Sequence, residues 1–316
     1  MKTPFLLLAA WLLITTAKAQ TDSLKKPTAA DSLLNALAPT NKGNDGVIAT
    51  FSSTRLVLSQ TTETVKKNNL NFMVIHRFGD IGGGEGGGKT FWGLDNSSDI
   101  YIGFEYGLSN NVDIEFGRSK FEQMIDLGLK YALLHQKADD SSPIAISVVA
   151  KGGVRPYNAA PGVFNGFGDR LSYLAQAIFA RRFSSAFSLQ ASPIFVRNNS
   201  PLPFIAGNEQ QFFAASIAGR LKVTKRMSII LDYAHPFSSF QSNSPAPGKF
   251  YDSVGGGIEI ETGGHVFTVN FTNAKAISAI NYLSDTQSSW AKGQFRIGFT
   301  ISRMFDFKPH QKNAYK

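Results

Sequence analysis

Glu105, Asp113, Glu115, Asp126, Lys130, Arg220, Lys222, Asp232, Glu259, Glu261 and Arg296 all fall on one side of segments that alternate with period two. If those segments are strands of one closed sheet, the charges converge on its interior. A three-residue turn at 109–111 sets Glu105 directly opposite Glu115, and like charges across a strand pair repel unless a cation or water intervenes. Lys130 beside them, or Arg220, Lys222 and Arg296 across the interior, would supply the compensation. Two chemistries are open for this set: a charged permeation path or ligand site, or an internal salt-bridge network that fills the space.

Other motifs carry less. Gly83 to Thr90 reads GGEGGGKT and formally satisfies the phosphate-loop pattern, but that chemistry needs a helix N-terminus after the loop. Phe91-Trp92-Gly93-Leu94-Asp95-Asn96 follows instead, which reads as a glycine-rich external loop. His76, His135, His235, His265 and His310 are scattered, with neither an i, i+4 pair nor HExxH, so no metal site is expected. No G-x-S-x-G elbow is present. The absence of cysteine excludes disulfides, thiolate-bound zinc and a cysteine nucleophile. No catalytic residue and no cofactor are expected.

The elements that must position the charged set are strands. IYIGFEYGL puts Ile100, Ile102, Phe104, Tyr106 and Leu108 on one face, and VDIEFG, IDLGLKYAL, GIEIE and FRIGFTIS alternate in the same way. Twelve are expected, near 68–78, 98–108, 111–119, 122–134, 143–153, 169–182, 186–197, 211–223, 226–236, 252–262, 264–273 and 293–305. They run to about nine residues or more, the span of tilted membrane strands, whereas globular strands cluster near five or six. Short connections at 109–111, 184–185, 224–226 and 263–264 alternate with long Gly/Pro/Asn/Ser-rich ones, apart from a short link near Lys120. An even strand number with short turns at one end predicts an all-β fold: a transmembrane antiparallel up-and-down β-barrel with both termini in the periplasm. A Gly263-Gly264 turn pairs Ile260 with Phe267 and Ile258 with Val269.

Residues 1–19 read as a cleaved signal peptide: Lys2, the apolar run Phe5 to Ile14, and Ala17-Lys18-Ala19. Cleavage would lower the formal charge of +9 by two. Residues 20–49 read as a flexible periplasmic linker, 50–307 as the barrel and 308–316 as a short basic periplasmic tail. The scattered Lys and Arg of an exported chain point to no nucleic-acid partner.

A series of segments then stands out: TFSSTRLVLSQTTETV (50–65), HRFGDI (76–81), FWGLDN (91–96), FEYGL (104–108), FGRS (116–119), LKYALLHQ (129–136), KVTKR (222–226), ETGGHVF (261–267), NFTN (270–273) and FTISRMF (299–305). As an ordered set over residues 47–307 it resembles the membrane-bound β-barrel family known as domain of unknown function 5777, of Gram-negative outer membranes. The resemblance implies an outer-membrane barrel and brings no activity with it. TRLVLSQT could be a further strand, a segment inside the lumen, or part of a fourteen-strand barrel completed by AISAINYL (276–283). The expected function is a small-solute channel or transport component with a narrow charged lumen. A plugged structural or partner-binding barrel is the alternative, and a lipid-modifying barrel enzyme a third. The partners expected are outer-membrane lipid, barrel assembly machinery and a small polar solute.

Overall fold

A computed structural model of the chain describes residues 46–200, 209–244 and 248–307. The signal peptide, nearly all of the linker and the basic tail expected from the sequence lie outside the described residues.

Alternating side chains form twelve strands: β1 (Asn69–Phe78), β2 (Ser97–Gly107), β3 (Val112–Ser119), β4 (Ile125–Leu134), β5 (Ala145–Val154), β6 (Leu171–Arg182), β7 (Phe187–Asn198), β8 (Gln211–Lys222), β9 (Met227–Phe237), β10 (Ser253–Thr262), β11 (His265–Thr272) and β12 (Arg296–Asp306). Each pairs antiparallel with its neighbour in sequence, and β1 pairs with β12 to close the barrel. Closure leaves no unpaired edge in the sheet, which a membrane demands of any spanning sheet. The barrel is complete at twelve strands; neither TRLVLSQT nor AISAINYL adds to it, because both lie inside.

Register follows the turns. Gly264, at φ 89°, supplies the positive dihedral of the β10–β11 turn, and Ile258 faces Val269 and Ile260 faces Phe267 as the sequence predicts. Glu105 likewise stands opposite Glu115. The strand faces separate cleanly on β4, where Leu127, Leu129, Tyr131 and Leu133 are exposed and Asp126, Lys130 and Ala132 are buried. Phe72, Phe104 and Phe116 form an outward ladder across β1, β2 and β3, with successive ring centroids 5.3 and 6.5 Å apart.

An outward apolar band of this kind belongs in hydrocarbon. Leu231, 62% exposed in the middle of β9, reports on it. Leu231→Arg is expected to cost about 2–4 kcal/mol and to abolish or sharply reduce the heat-modifiable barrel band on gels, whereas a solvated face would tolerate it.

The connections at one end are short apart from 135–144, and the chain enters β1 and leaves β12 there. The opposite end carries the long connections, two of which hold one-turn helices, α1 (Ser239–Asn243) and α2 (Ala279–Ser284).

Candidate functional site

The lumen is occupied from both ends. Residues 50–63 enter from the short-turn end as a hairpin: Arg55 and Gln60 form an antiparallel bridge, Leu56 N donates to Ser59 O and Thr61 N to Thr54 O, each at 2.9 Å. Thr50 and Glu63 meet at its base, where Thr50 N donates to Glu63 Oε1 at 2.8 Å. Even fully extended, legs of about six residues would reach at most roughly 20 Å, short of a roughly 30 Å hydrocarbon core. Just before the hairpin, Ile48 N donates to Gln136 O at 2.9 Å, so the end of the expected linker is held by the β4–β5 connection. After it the chain passes so close to β2 that a Cβ on Gly107 would lie 2.2 Å from Lys66 O.

The connection between β11 and β12 folds in from the long-loop end. Ile277, Ile280, Tyr282 and Leu283 are buried, and burial pushes the Tyr282 hydroxyl pKa up. Ile277 N donates to Asp99 at 2.8 Å, and Arg155 Nη2 donates to Asn281 at 3.2 Å. Arg77, 1% exposed, joins the two intruding segments: it donates to Val57 O of the hairpin at 3.1 Å, to Ala274 O at 3.3 Å and to Ala276 O.

The inner wall has two chemistries, and the hairpin matches both. Leu174, Ile194, Val196, Phe212 and Ile230 of β6 to β9 form one apolar cluster with Phe51, Leu56, Val57 and Leu58 of the hairpin and with Ile280, Tyr282 and Leu283. Toward the acidic strands, Thr54 Oγ1 donates to Glu105 and Gln60 Nε2 to Glu115, both at 2.6 Å. Val65 N donates to Asp113 at 2.8 Å and Leu58 N to Asp232 at 2.9 Å. Burial works against the charge of Arg55, yet the surrounding carboxylates of Glu115, Glu105 and Asp126 outweigh it and hold its pKa above the ordinary arginine value.

Of the charged set named from the sequence, Glu105, Asp113, Glu115, Asp126, Lys130, Arg220, Asp232, Glu259 and Arg296 are buried while Lys222 and Glu261 are half-buried, and the pairing differs from the expectation. Lys130 does lie near Glu115, at 3.8 Å, and Lys151 of β5, which the sequence reading passed over, forms an ion pair with the same carboxylate. Arg220 does not reach across to the acidic row. It binds Glu259 at 2.7 Å and also Glu261, because β10 lies only two strands away from β8, roughly 10 Å, within arginine's reach. Arg296 pairs with Asp80 in the connection leaving β1, its neighbour across the closing seam. Asp126 accepts from Tyr101 Oη at 2.8 Å, and Tyr101 lies across Gly117, where a Cβ would meet its hydroxyl at 1.8 Å. Lys222 is only half-buried, at the short-turn rim.

Arg55, Arg77, Asp99, Lys151 and Arg155 are buried charged residues that the expected set omits. Arg77, Asp99 and Lys151 obey the period of their strands, so alternation marks them too; Arg55 lies in the hairpin, where strand register gives no guide. The GGEGGGKT segment makes a single 3-10 turn at Gly88–Thr90 with Lys89 Nζ donating to Gly84 O at 2.6 Å, closing the loop on itself. Among the described residues no group of three or more His, Asp or Glu is placed to hold a metal ion.

The sequence profile of the membrane bound beta barrel domain (DUF5777) matches residues 51–305. No curated protein matches the chain. Solved structures with a similar course include the NanC porin, at 7% identity and a TM-score of 0.44, covering 76% of this chain and 100% of that one. The KdgM porin gives 5% and 0.41 with 76% and 99% coverage, and an outer membrane channel from Pseudomonas putida F1 gives 10% and 0.45 with 77% and 98%. At such scores the likeness carries no functional information about this chain.

Proposed function

The chain belongs to the membrane-bound β-barrel domain family, and from that premise we propose that it is an outer-membrane conduit for small polar solutes which its own hairpin, residues 50–63, holds shut. On this reading residues 1–19 direct export and are removed, barrel assembly machinery inserts the chain among outer-membrane lipid, and the short-turn end faces the periplasm.

The observation that carries the reading is the set of buried carboxylates Glu105, Glu115 and Asp232, whose partners come in large part from residues 50–63, together with Asp113, held by Val65 just after them. A lumen that only needed filling gains nothing from buried charge, since apolar packing of the same volume is as stable or more so. A lumen that is wet in another state does need such groups. The hairpin fits the part of a gate: Thr54, Gln60 and main-chain N–H groups stand where water or solute would otherwise satisfy the acids.

The competing reading, a permanently plugged structural or partner-binding barrel, draws on the apolar cluster that the hairpin tip shares with the wall and with Ile280 and Leu283. Planar-bilayer recording separates the two. Asp113→Ala with Asp232→Ala removes two main-chain anchors, and brief openings are expected in that variant and not in the parent. Since the chain has no native cysteine, Thr54→Cys and Asn71→Cys added to it and crosslinked should suppress the openings; these side chains touch at 3.3 Å. Silence in the loosened variant, with its barrel intact on gels, would favour the plugged reading.

A further inference from the structure

The wall grips the hairpin segment largely by its main chain. Asp232 Oδ2 accepts from Leu58 N at 2.9 Å and Ser59 N at 3.4 Å, and Asp113 Oδ2 accepts from Val65 N at 2.8 Å. In the other sense Gln190 Nε2 donates to Gln60 O at 2.7 Å, Ser147 Oγ to Thr62 O at 2.9 Å, Lys130 Nζ to Glu63 O at 3.1 Å and Arg77 Nη2 to Val57 O at 3.1 Å. These groups come from six strands, β1, β3, β4, β5, β7 and β9. Main-chain N–H and C=O groups are the same in every peptide, so a wall built around those of a tight hairpin tip, which Leu56 N closes on Ser59 O, reads a backbone shape before it reads a sequence.

The side-chain contacts narrow the class. Glu105 and Glu115 accept from a hydroxyl and an amide, and Arg55 sits among the acids with its guanidinium carbon 5.4 Å from the Tyr101 ring centroid. Donors and cations suit these positions; a carboxylate there would face another carboxylate.

We infer that the lumen is a binding site for a polypeptide hairpin that turns hydroxyl, amide and cationic side chains to the acidic strands and aliphatic ones to β6 to β9, and that residues 50–63 occupy it as a tethered stand-in for such a ligand. The inference rests on the reading that the hairpin can leave the lumen, and it names the class of molecule that takes its place. Covalent attachment gives the hairpin a high effective concentration; loosening that attachment lets an external peptide compete.

The test uses the full chain with a protease site inserted between Lys66 and Lys67, both exposed at the short-turn end, folded in detergent and then cut. Three labelled peptides are offered: residues 47–66, the same residues shuffled with Phe51, Leu56, Val57 and Leu58 kept in place, and residues 47–66 carrying Thr54→Glu and Gln60→Glu. The native peptide is expected to exchange into the barrel, the shuffled one to bind within about tenfold of it, and the glutamate peptide to bind at least about 100-fold more weakly. Binding of the native order alone would make the hairpin a private plug and overturn the inference. So would equal binding of the glutamate peptide, no exchange at all, or loss of the folded band on cutting.

A second, uncut variant lengthens the tether at the same place with a Gly/Ser insert of about twenty residues and carries Ser59→Cys. Added native peptide should raise thiol labelling at that position several-fold, and unchanged labelling counts against the inference. Current recorded from the cut sample keeps the two proposals apart. A barrel that conducts and takes no peptide leaves the conduit standing without the peptide site. One that takes peptide and never conducts does the reverse.

Discussion

Deletion of residues 50–63, with the inward-folded residues 276–284 replaced by a short Gly/Ser join, is expected to turn a silent barrel into a conducting one with a preference for cations. Thr50 and Glu63 touch at the base of the hairpin, so a short join closes the gap without moving β1. The deletion removes the cation Arg55 together with the Thr54, Leu58 and Gln60 donors to Glu105, Asp232 and Glu115. Water then solvates these carboxylates, and open acids in a narrow lumen attract cations. Adding Glu105→Gln and Glu115→Gln to the deletion should shift the reversal potential under a salt gradient toward anions, since Lys130 and Lys151 remain. The temperature at which the folded gel band is lost should fall as well, because the apolar wall of β6 to β9 loses Phe51, Leu56, Val57 and Leu58.

Arg77→Ala is expected to loosen both intruding segments at once. One guanidinium serves Val57 O on the hairpin and Ala274 O and Ala276 O on the incoming connection. Truncation leaves buried carbonyls without donors, a penalty of about 1–3 kcal/mol for each one that water does not reach, and a total of about 3 kcal/mol is expected. Arg77→Lys should recover only part of the loss, because an ammonium is a single point on a flexible stem and cannot reproduce the planar fork. The measurement is the loss temperature of the folded band, with thiol labelling at Ser59→Cys as the local readout. A loss temperature unchanged in the alanine variant would mean that the two segments are held without Arg77.

The strands were legible because a membrane barrel imposes one period on every spanning segment, and the turn at Gly263-Gly264 fixed a register that the pairing of Ile258 with Val269 bears out. The hairpin was harder to read. TRLVLSQT presents Leu56 and Leu58 to an apolar wall and Thr54 and Gln60 to an acidic one, so it carries the same two-sided pattern as a spanning strand. Its legs of about six residues are too short to cross at a tilt, and that length was the usable signal. A second signal lay in β6 to β9, where Leu174, Ile194, Val196, Phe212 and Ile230 make the inward face apolar as well; such a face needs something inside to cover it. The charge pairs went astray for a related reason. Arg220 and Arg296 were expected to act across the lumen, but the hairpin and the incoming connection fill that space, and each arginine finds a carboxylate beside it.

The hairpin tip lies inside the closed barrel, and thiol labelling tests that most directly. Ser59, 2% exposed at the tip, and Lys66, exposed at the short-turn rim, are each replaced by cysteine in a chain that has none. Both variants, folded, are offered a membrane-impermeant maleimide. Lys66→Cys should label at the rate of a free surface thiol, and Ser59→Cys at least about 100-fold more slowly until the barrel is unfolded, consistent with reaction through rare openings. Equal labelling of the two positions in the folded barrel would contradict the account.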